Sequence, residues 1–325
     1  MITTDLNIAI DQLRAGHPVA IPTETVYGLA APIDQESAIR AVFALKNRPL
    51  NHPLIVHVAE HWDLTHWVEE IPPLAQRLID AFWPGPLTLV LKANLQNINL
   101  IITGGQDSVA IRCPKHPLAQ ALLKELGTPV VAPSANPFGK ISPTTAEHVE
   151  QSFAQSALTI LDGGRCDEGI ESTLIHIAAD NQYQILRHGT ISAEQIAAVL
   201  KQSALTQANN LRVPGKLDSH YQPEKPLYYF DNVADLQQFC RNNHDSLFVI
   251  ASQKPDNVSA ENFFALPQTP SDAAFELYFQ LRRADLSSAQ FLLIELPPDN
   301  SNWAGVRERI IKASQKPFDT NSKKS

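Results

Sequence analysis

Eight short apolar runs in the first 200 residues each break off into a polar turn, with helical patterns between them. The runs cover 18–21, 54–58, 87–91, 108–112, 129–132, 157–161, 172–177 and 183–187, and each has strand length. Leu6, Ala9, Ile10 and Leu13 repeat at helical spacing, with Gly16 as a stop. Further helical patterns lie near 35–46, 72–82, 116–126, 144–153 and 192–202, and Thr144/Glu147 and Ser192/Gln195 have capping-box spacing. So many strands mixed with helices predict an α/β fold built on one large twisted sheet. The order is not a strict βαβ alternation, so the sheet is expected to be mixed.

The pattern lapses from 203 to 226, which reads as a linker. Beyond it, strands at 227–230, 246–251 and 290–296 alternate with helices at 233–242, 271–284 and 303–314. The expected organisation is a large domain over 1–202, a linker over 203–226 and a small Rossmann-like α/β domain over 227–325.

Composition removes several function classes. No apolar run approaches the roughly 20 residues of a membrane span, and Met1–Asn7 lacks the basic start of a secretory signal. Cys113, Cys166 and Cys240 are scattered, which argues for a reducing, cytoplasmic setting and against a structural zinc site. Residues 1–200 hold 12 Lys/Arg and 20 Asp/Glu, a net of −8, whereas 201–325 hold 14 of each. An acidic first half is a poor general nucleic-acid binder. Yet Lys46, Arg48, Arg112, Lys115, Lys140 and Arg187 all lie in or beside polar strand ends. Convergence of these cations would suit a small polyanion.

The strand ends carry the chemistry. Val19-Ala20-Ile21 runs straight into Pro22-Thr-Glu-Thr-Val-Tyr-Gly-Leu29, which reads either as one wall of a ligand site or as a capped helix start. Lys46-Asn-Arg48-Pro-Leu-Asn-His52-Pro ends a helix and enters the strand that holds His57. Its cations suit phosphates or the helix dipole, and His57 is either a substrate contact or a satisfied core histidine. Trp83-Pro-Gly-Pro86 reads as a rigid strand entry with no catalytic role. Arg112 at a strand end can clamp a carboxylate or phosphate, or form a surface ion pair. Ser134, Asn136 and Ser142 follow another apolar run, as pocket groups or as a turn. Ser172 opens a strand and Arg187 closes one. Walker, dinucleotide-fingerprint, HExxH and GxSxG motifs are all missing, so side-chain cations and hydroxyls would have to hold any nucleotide phosphates.

These segments, in this order, resemble the threonylcarbamoyl-adenylate synthases, the YrdC-type family in its long two-domain form. The matching stretches are Pro22–Leu29, Lys46–His57, Trp83–Leu91, Val109–Pro114, Pro133–Asn136 with Ser142-Pro143, and Gly169–Ile175 with Arg187. Pro214–Pro223, with His220 and Tyr221, is similar to the linker of the long form, and Trp303–Ser314 to its closing helix. The resemblance implies synthesis of threonylcarbamoyl-AMP from L-threonine, bicarbonate and ATP, with Mg2+ arriving on the nucleotide. It implies downstream tRNA threonylcarbamoyl-transferase proteins as partners, with at most weak tRNA contact. Thr25, Tyr27, His57, Arg112 and Ser172 would line the threonine pocket. Lys46, Arg48, His52, Ser134, Asn136, Ser142, Arg187 and Tyr221 would line the ATP site. No residue would act as a covalent nucleophile or a dedicated metal ligand. Alignment and charge neutralisation, led by Lys46 and Arg48, would do the work. The linker would act as a lid over ATP.

The chain departs from the family pattern at His52, where many relatives carry asparagine, and at Val213 and Lys216, where serine and methionine are commoner. Two competing readings are a non-catalytic double-stranded RNA or tRNA-binding module and a carbamoyl-transfer role in hydrogenase maturation. The second lacks its Cys-rich zinc segments here.

Overall fold

A computed structural model describes residues 1–178, 181–206, 211–215, 220–242 and 246–315. It divides into two compact units, one formed by Met1–Phe138 with Ser142–Lys216 and the other by Gly139–Ile141 with Leu217–Ser325. The predicted linker is thus shared between the units.

In the first unit the strands are β1 (Ile2–Thr3), β2 (Val19–Ile21), β3 (Gly28–Pro32), β4 (Ile55–His57), β5 (Leu87–Lys92), β6 (Ser108–Arg112), β7 (Val130–Val131), β8 (Thr159–Leu161), β9 (Thr173–Ile177) and β10 (Tyr183–Arg187). They form one mixed sheet in the order β1-β8-β2-β3-β7-β4-β6-β5-β9-β10. The helices are α1 (Leu6–Arg14), α2 (Glu36–Lys46), α3 (Pro73–Phe82), α4 (Leu100–Thr103), α5 (Pro117–Leu126), α6 (Ala146–Ser152) and α7 (Ala193–Leu200). The α/β class and the mixed sheet are as expected. β1, β3 and α4 were not anticipated: β1 and α4 are very short, and β3 begins with glycine and ends with proline, which read as punctuation. One cap also differs. Thr145, not Thr144, caps α6 by accepting from the His148 N–H, whereas the Ser192/Gln195 capping box is present.

Alternation with period two explains the layering. On one face Val56, Leu89, Ile111, Val131 and Ile175 enter the main core beneath the helices. On the other, Ile55, Val90, Ala110 and Leu174 form an apolar strip packed by Val213 and Leu211 from the linker's first half. Register extends that second face into a polar row. His57 lies opposite Arg112 across β4 and β6, and Thr88 lies opposite Arg112 across β5 and β6. Thr88 in turn pairs with Leu174. A register shift between Ile185 and Arg187 then sets Arg187 opposite Leu174, on the same face. Without that bulge Arg187 would point the other way.

The second unit holds a parallel sheet of β11 (Leu227–Phe230), β12 (Leu247–Ala251), β13 (Phe263–Ala265) and β14 (Phe291–Glu295), in the order β11-β14-β12-β13. Its helices are α8 (Val233–Asn242), α9 (Pro270–Leu286) and α10 (Ala304–Ala313). The predicted strands and helices are all found, and β13 is added.

Gly189, two residues past β10, packs against the start of β9. A Cβ built there would lie 2.3 Å from the Thr173 nitrogen and 2.7 Å from the Ser172 carbonyl carbon. Backbone cannot yield as a flexible side chain can. Gly189→Ala should therefore destabilise the first unit by about 1–3 kcal/mol. Urea unfolding should show this as a lowered midpoint at an unchanged slope.

Candidate active site

The loop after β2 sets the first wall. The Thr23 hydroxyl donates to the Val26 carbonyl at 2.6 Å and lies 2.9 Å from the Thr25 hydroxyl. Because Thr23 has spent its proton, Thr25 must donate to Thr23. Thr25 Oγ1 then accepts from Arg112 Nη1 at 2.8 Å. What Thr25 retains for a ligand is acceptor capacity.

Arg112 is 4% exposed and is held on three sides. Nη1 meets Thr25, Nε donates to the Gly85 carbonyl at 3.4 Å, and Nη2 is 2.8 Å from a carboxylate oxygen of Glu24. The ion pair is buried and not at the surface, because Glu24 is 2% exposed. Beside it, His57 Nδ1 contacts the Ile55 carbonyl at 3.2 Å, which assigns the proton to Nδ1 and leaves Nε2 as an acceptor. Burial, with Arg112 as a second cause, pulls the His57 pKa down to about 3. The imidazole is thus neutral at physiological pH. A cation flanked by two neutral acceptors has the polarity of an amino-acid receptor.

Thr88 and Arg187 extend the row. The Thr88 and Ser172 hydroxyls lie 2.7 Å apart, and Arg187 Nη2 donates to the Ser172 carbonyl at 2.9 Å and to its hydroxyl at 3.1 Å. Arg187 Nη1 also donates to the Pro214 carbonyl at 3.3 Å, tying the linker's first half to the sheet. The Gln106 side chain adds a two-way link to the Arg212 backbone, accepting from N at 2.8 Å and donating to O at 2.9 Å.

A second group of cations sits at the end of α2. Asn47 takes left-handed backbone and turns the chain out of the helix. Lys46 is not a solvated helix-end charge: it is buried and donates to the carbonyls of Ser134 and Asn136, each at 2.5 Å. Burial, and then Arg48, pull its pKa well below the usual ammonium range. Lys46 thereby fixes the loop bearing Ser134 and Asn136. Arg48 donates to the Pro53 carbonyl at 2.8 Å and stacks over Phe138, with His52 edge-on to the same ring at 5.1 Å. The Ser142 hydroxyl donates to Glu171 at 2.6 Å, and Glu171 also faces the Lys46 charge.

Tyr27 and Tyr221 are held by contacts of their own. The Tyr27 hydroxyl donates to the Gly164 carbonyl at 2.8 Å and accepts from the Gly163 N–H at 3.1 Å. It braces the Asp162–Gly164 turn, so its part in a pocket is one of shape. Tyr221 belongs to the second unit, where it is buried at φ 64° beneath Arg309 and beside Tyr278. Lys140 also belongs there, 2.8 Å from Glu224. Val213 packs on the apolar strip, and Lys216 lies outside the described residues. The sequence reading missed Glu24, Gly85, Thr88 and Glu171. Glu24 and Glu171 lie within the polar strand-end segments and are the readable signal; Thr88 is hidden in an apolar run.

No thiol is poised as a nucleophile. Burial pushes Cys113 and Cys240 up to about 11, and Cys166 is raised as well. Among the described residues, no group of three His, Cys, Asp or Glu side chains is placed to hold a metal ion.

Buried cations, oriented hydroxyls and a neutral histidine on one sheet face define a binding site of the substrate-aligning type, suited to a small zwitterion and a polyanion. Comparison with known proteins narrows that class. Residues 11–189 match the Sua5_yciO_yrdC family, described as "Telomere recombination", and residues 191–315 match "Threonylcarbamoyl-AMP synthase, C-terminal domain". Threonylcarbamoyl-AMP synthase of Bacillus subtilis (strain 168) is 35% identical over 93% of this chain and 90% of its own length. The synthase of Pyrococcus abyssi is 34% identical over 95% of this chain and 94% of its own. The crystal structure of P. abyssi Sua5 complexed with L-threonine superposes with a TM-score of 0.86 at 34% identity, covering 95% of this chain and 94% of that one. The chain belongs to the threonylcarbamoyl-AMP synthase family, in its two-domain form.

His57 generates a stability prediction. Its folded pKa of about 3 lies below the ordinary 6.5, so the unfolded chain binds the proton first on acidification. Its contribution to stability is complete above pH 6.5 and is lost as pH falls towards 3. That slope approaches about 1.4 kcal/mol per pH unit at its steepest. Denaturant melts between pH 4.5 and 7.5 should show His57→Gln with a flatter stability curve than the unsubstituted protein.

Proposed function

We propose that this protein converts L-threonine, bicarbonate and ATP into threonylcarbamoyl-AMP, pyrophosphate and water. The observation that carries the reading is the polar row on the sheet, in which Arg112 stands between the Thr25 and His57 acceptors, with Arg187 on the same face. Arg112 takes the threonine carboxylate through its remaining N–H groups. Thr25 and His57 accept from the ammonium or hydroxyl group, and Ser172 lines the same pocket. Arg48 and Arg187 take the phosphates, with Ser134, Asn136, Ser142 and His52 around the nucleotide. A nucleotide contact by Tyr221 rests on the resemblance alone.

The chemistry needs no covalent enzyme intermediate. The threonine ammonium loses a proton to solvent; the free amine then adds to bicarbonate with loss of water, or to carbon dioxide with release of a second proton, giving a carbamate. A carbamate oxygen then attacks the α-phosphorus, and the bond to the β-phosphate oxygen breaks to release pyrophosphate. Alignment of two bound substrates supplies much of the rate. Fixed cations that face the developing charge supply more. Mg2+ would travel on the triphosphate, held by phosphate oxygens and water, as suits a chain with no three-residue metal cluster among its described residues. The buried, unpaired cysteines accord with a cytoplasmic setting. The product would pass to partner proteins that modify tRNA. Duplex-RNA binding without catalysis is disfavoured by the net −8 of residues 1–200.

Incubation with threonine, bicarbonate, Mg-ATP and pyrophosphatase should yield threonylcarbamoyl-AMP by mass spectrometry, with phosphate release that depends on threonine. Arg112→Gln should cut this at least about 100-fold, as expected for loss of a charged bidentate contact. Threonine-independent release, or no acyl adenylate, would contradict the assignment.

A further inference from the structure

Glu24 has no part in the chemistry above, yet a carboxylate 2% exposed is costly unless something requires it. Its one described partner is Arg112, whose Nη2 lies 2.8 Å away. That contact is an ion pair without hydrogen-bond geometry: neither carboxylate oxygen has a hydrogen bond among the described residues, and neither is open to solvent. The Glu24 carboxylate is thus packed against Arg112 Nη2, which is equally enclosed. The Glu24 backbone is pinned, because its carbonyl accepts from the Glu168 N–H at 2.7 Å.

We propose that Glu24 is a positioning residue of the amino-acid subsite, which fixes the Arg112 guanidinium so that its free N–H groups face the substrate carboxylate. The inference rests on the threonine reading of that subsite. The guanidinium has five N–H donors; Gly85 engages the one on Nε and Thr25 one on Nη1, while Nη2 lies 2.8 Å from Glu24 in an ion pair without a hydrogen bond. Unspent donors are thus left on both terminal nitrogens, which is what a bidentate carboxylate needs. Thr25 and Gly85 offer neutral oxygens, so Glu24 alone of the three contacts balances the buried charge. Without it, Arg112 would turn towards any anion or carbonyl in reach, the nucleotide phosphates included.

The test is calorimetric titration of the full-length protein with threonine and, separately, with Mg-ATP. Glu24→Gln should weaken threonine binding at least tenfold while ATP binding stays within twofold. Glu24→Asp, which keeps the charge, should recover part of the loss. If Glu24→Gln fails to fold, the aspartate variant decides alone: weakened threonine binding with ATP binding kept supports the proposal. Unchanged threonine affinity, or equal loss for both ligands, overturns it. Failure of the unsubstituted protein to bind threonine would instead overturn the underlying reading, and the proposal with it.

Discussion

A guanidinium buried in a sheet face organises this site. Arg112 ends β6 where solvent cannot screen it, and a lone buried charge is strongly unfavourable. Its surroundings answer that cost. Glu24 supplies the counter-charge, Thr25 and Gly85 supply oriented oxygens, and the neighbouring imidazole stays neutral. Burial, with the same cation as a second cause, depresses His57. Burial and one charge together keep the imidazole neutral before any substrate arrives. Preorganisation of that kind avoids reorienting dipoles during reaction.

The second centre works by a different arrangement. Lys46 spends its N–H groups on two loop carbonyls instead of pointing into open solvent. It holds Ser134 and Asn136 in place, while Arg48 stacks on Phe138 and stays further from full burial. Lys46 is thus spent on the loop, and Arg48 is the less buried of the two. Glu171, bound to Ser142, faces the Lys46 charge and moderates the cost of its burial.

Much of this was legible from residue order. Ile55-Val56-His57 and Val109-Ala110-Ile111-Arg112 read as strands ending in polar groups, and they are. What could not be read was register. That His57, Arg112 and Thr88 stand side by side depends on pairing between segments far apart in sequence. Arg187 joins them through a bulge that has no local sequence signal. Thr88 passed as one polar residue in an apolar strand, and β3 passed as a loop because glycine and proline bound it. The Tyr27 phenol is occupied by the Asp162–Gly164 turn, which lies far away in sequence. Glu24 was visible but unexplained, since its role depends on an arginine 88 positions away.

The account's central claim is that the amino-acid subsite is preformed around Arg112. A crystal structure of this protein with L-threonine and a non-hydrolysable ATP analogue tests it most directly. The account predicts the threonine carboxylate on both terminal nitrogens of Arg112, with the Glu24 ion pair and the Thr25 contact retained. A carboxylate held elsewhere, or an Arg112 that must leave Glu24 to reach it, would contradict the claim.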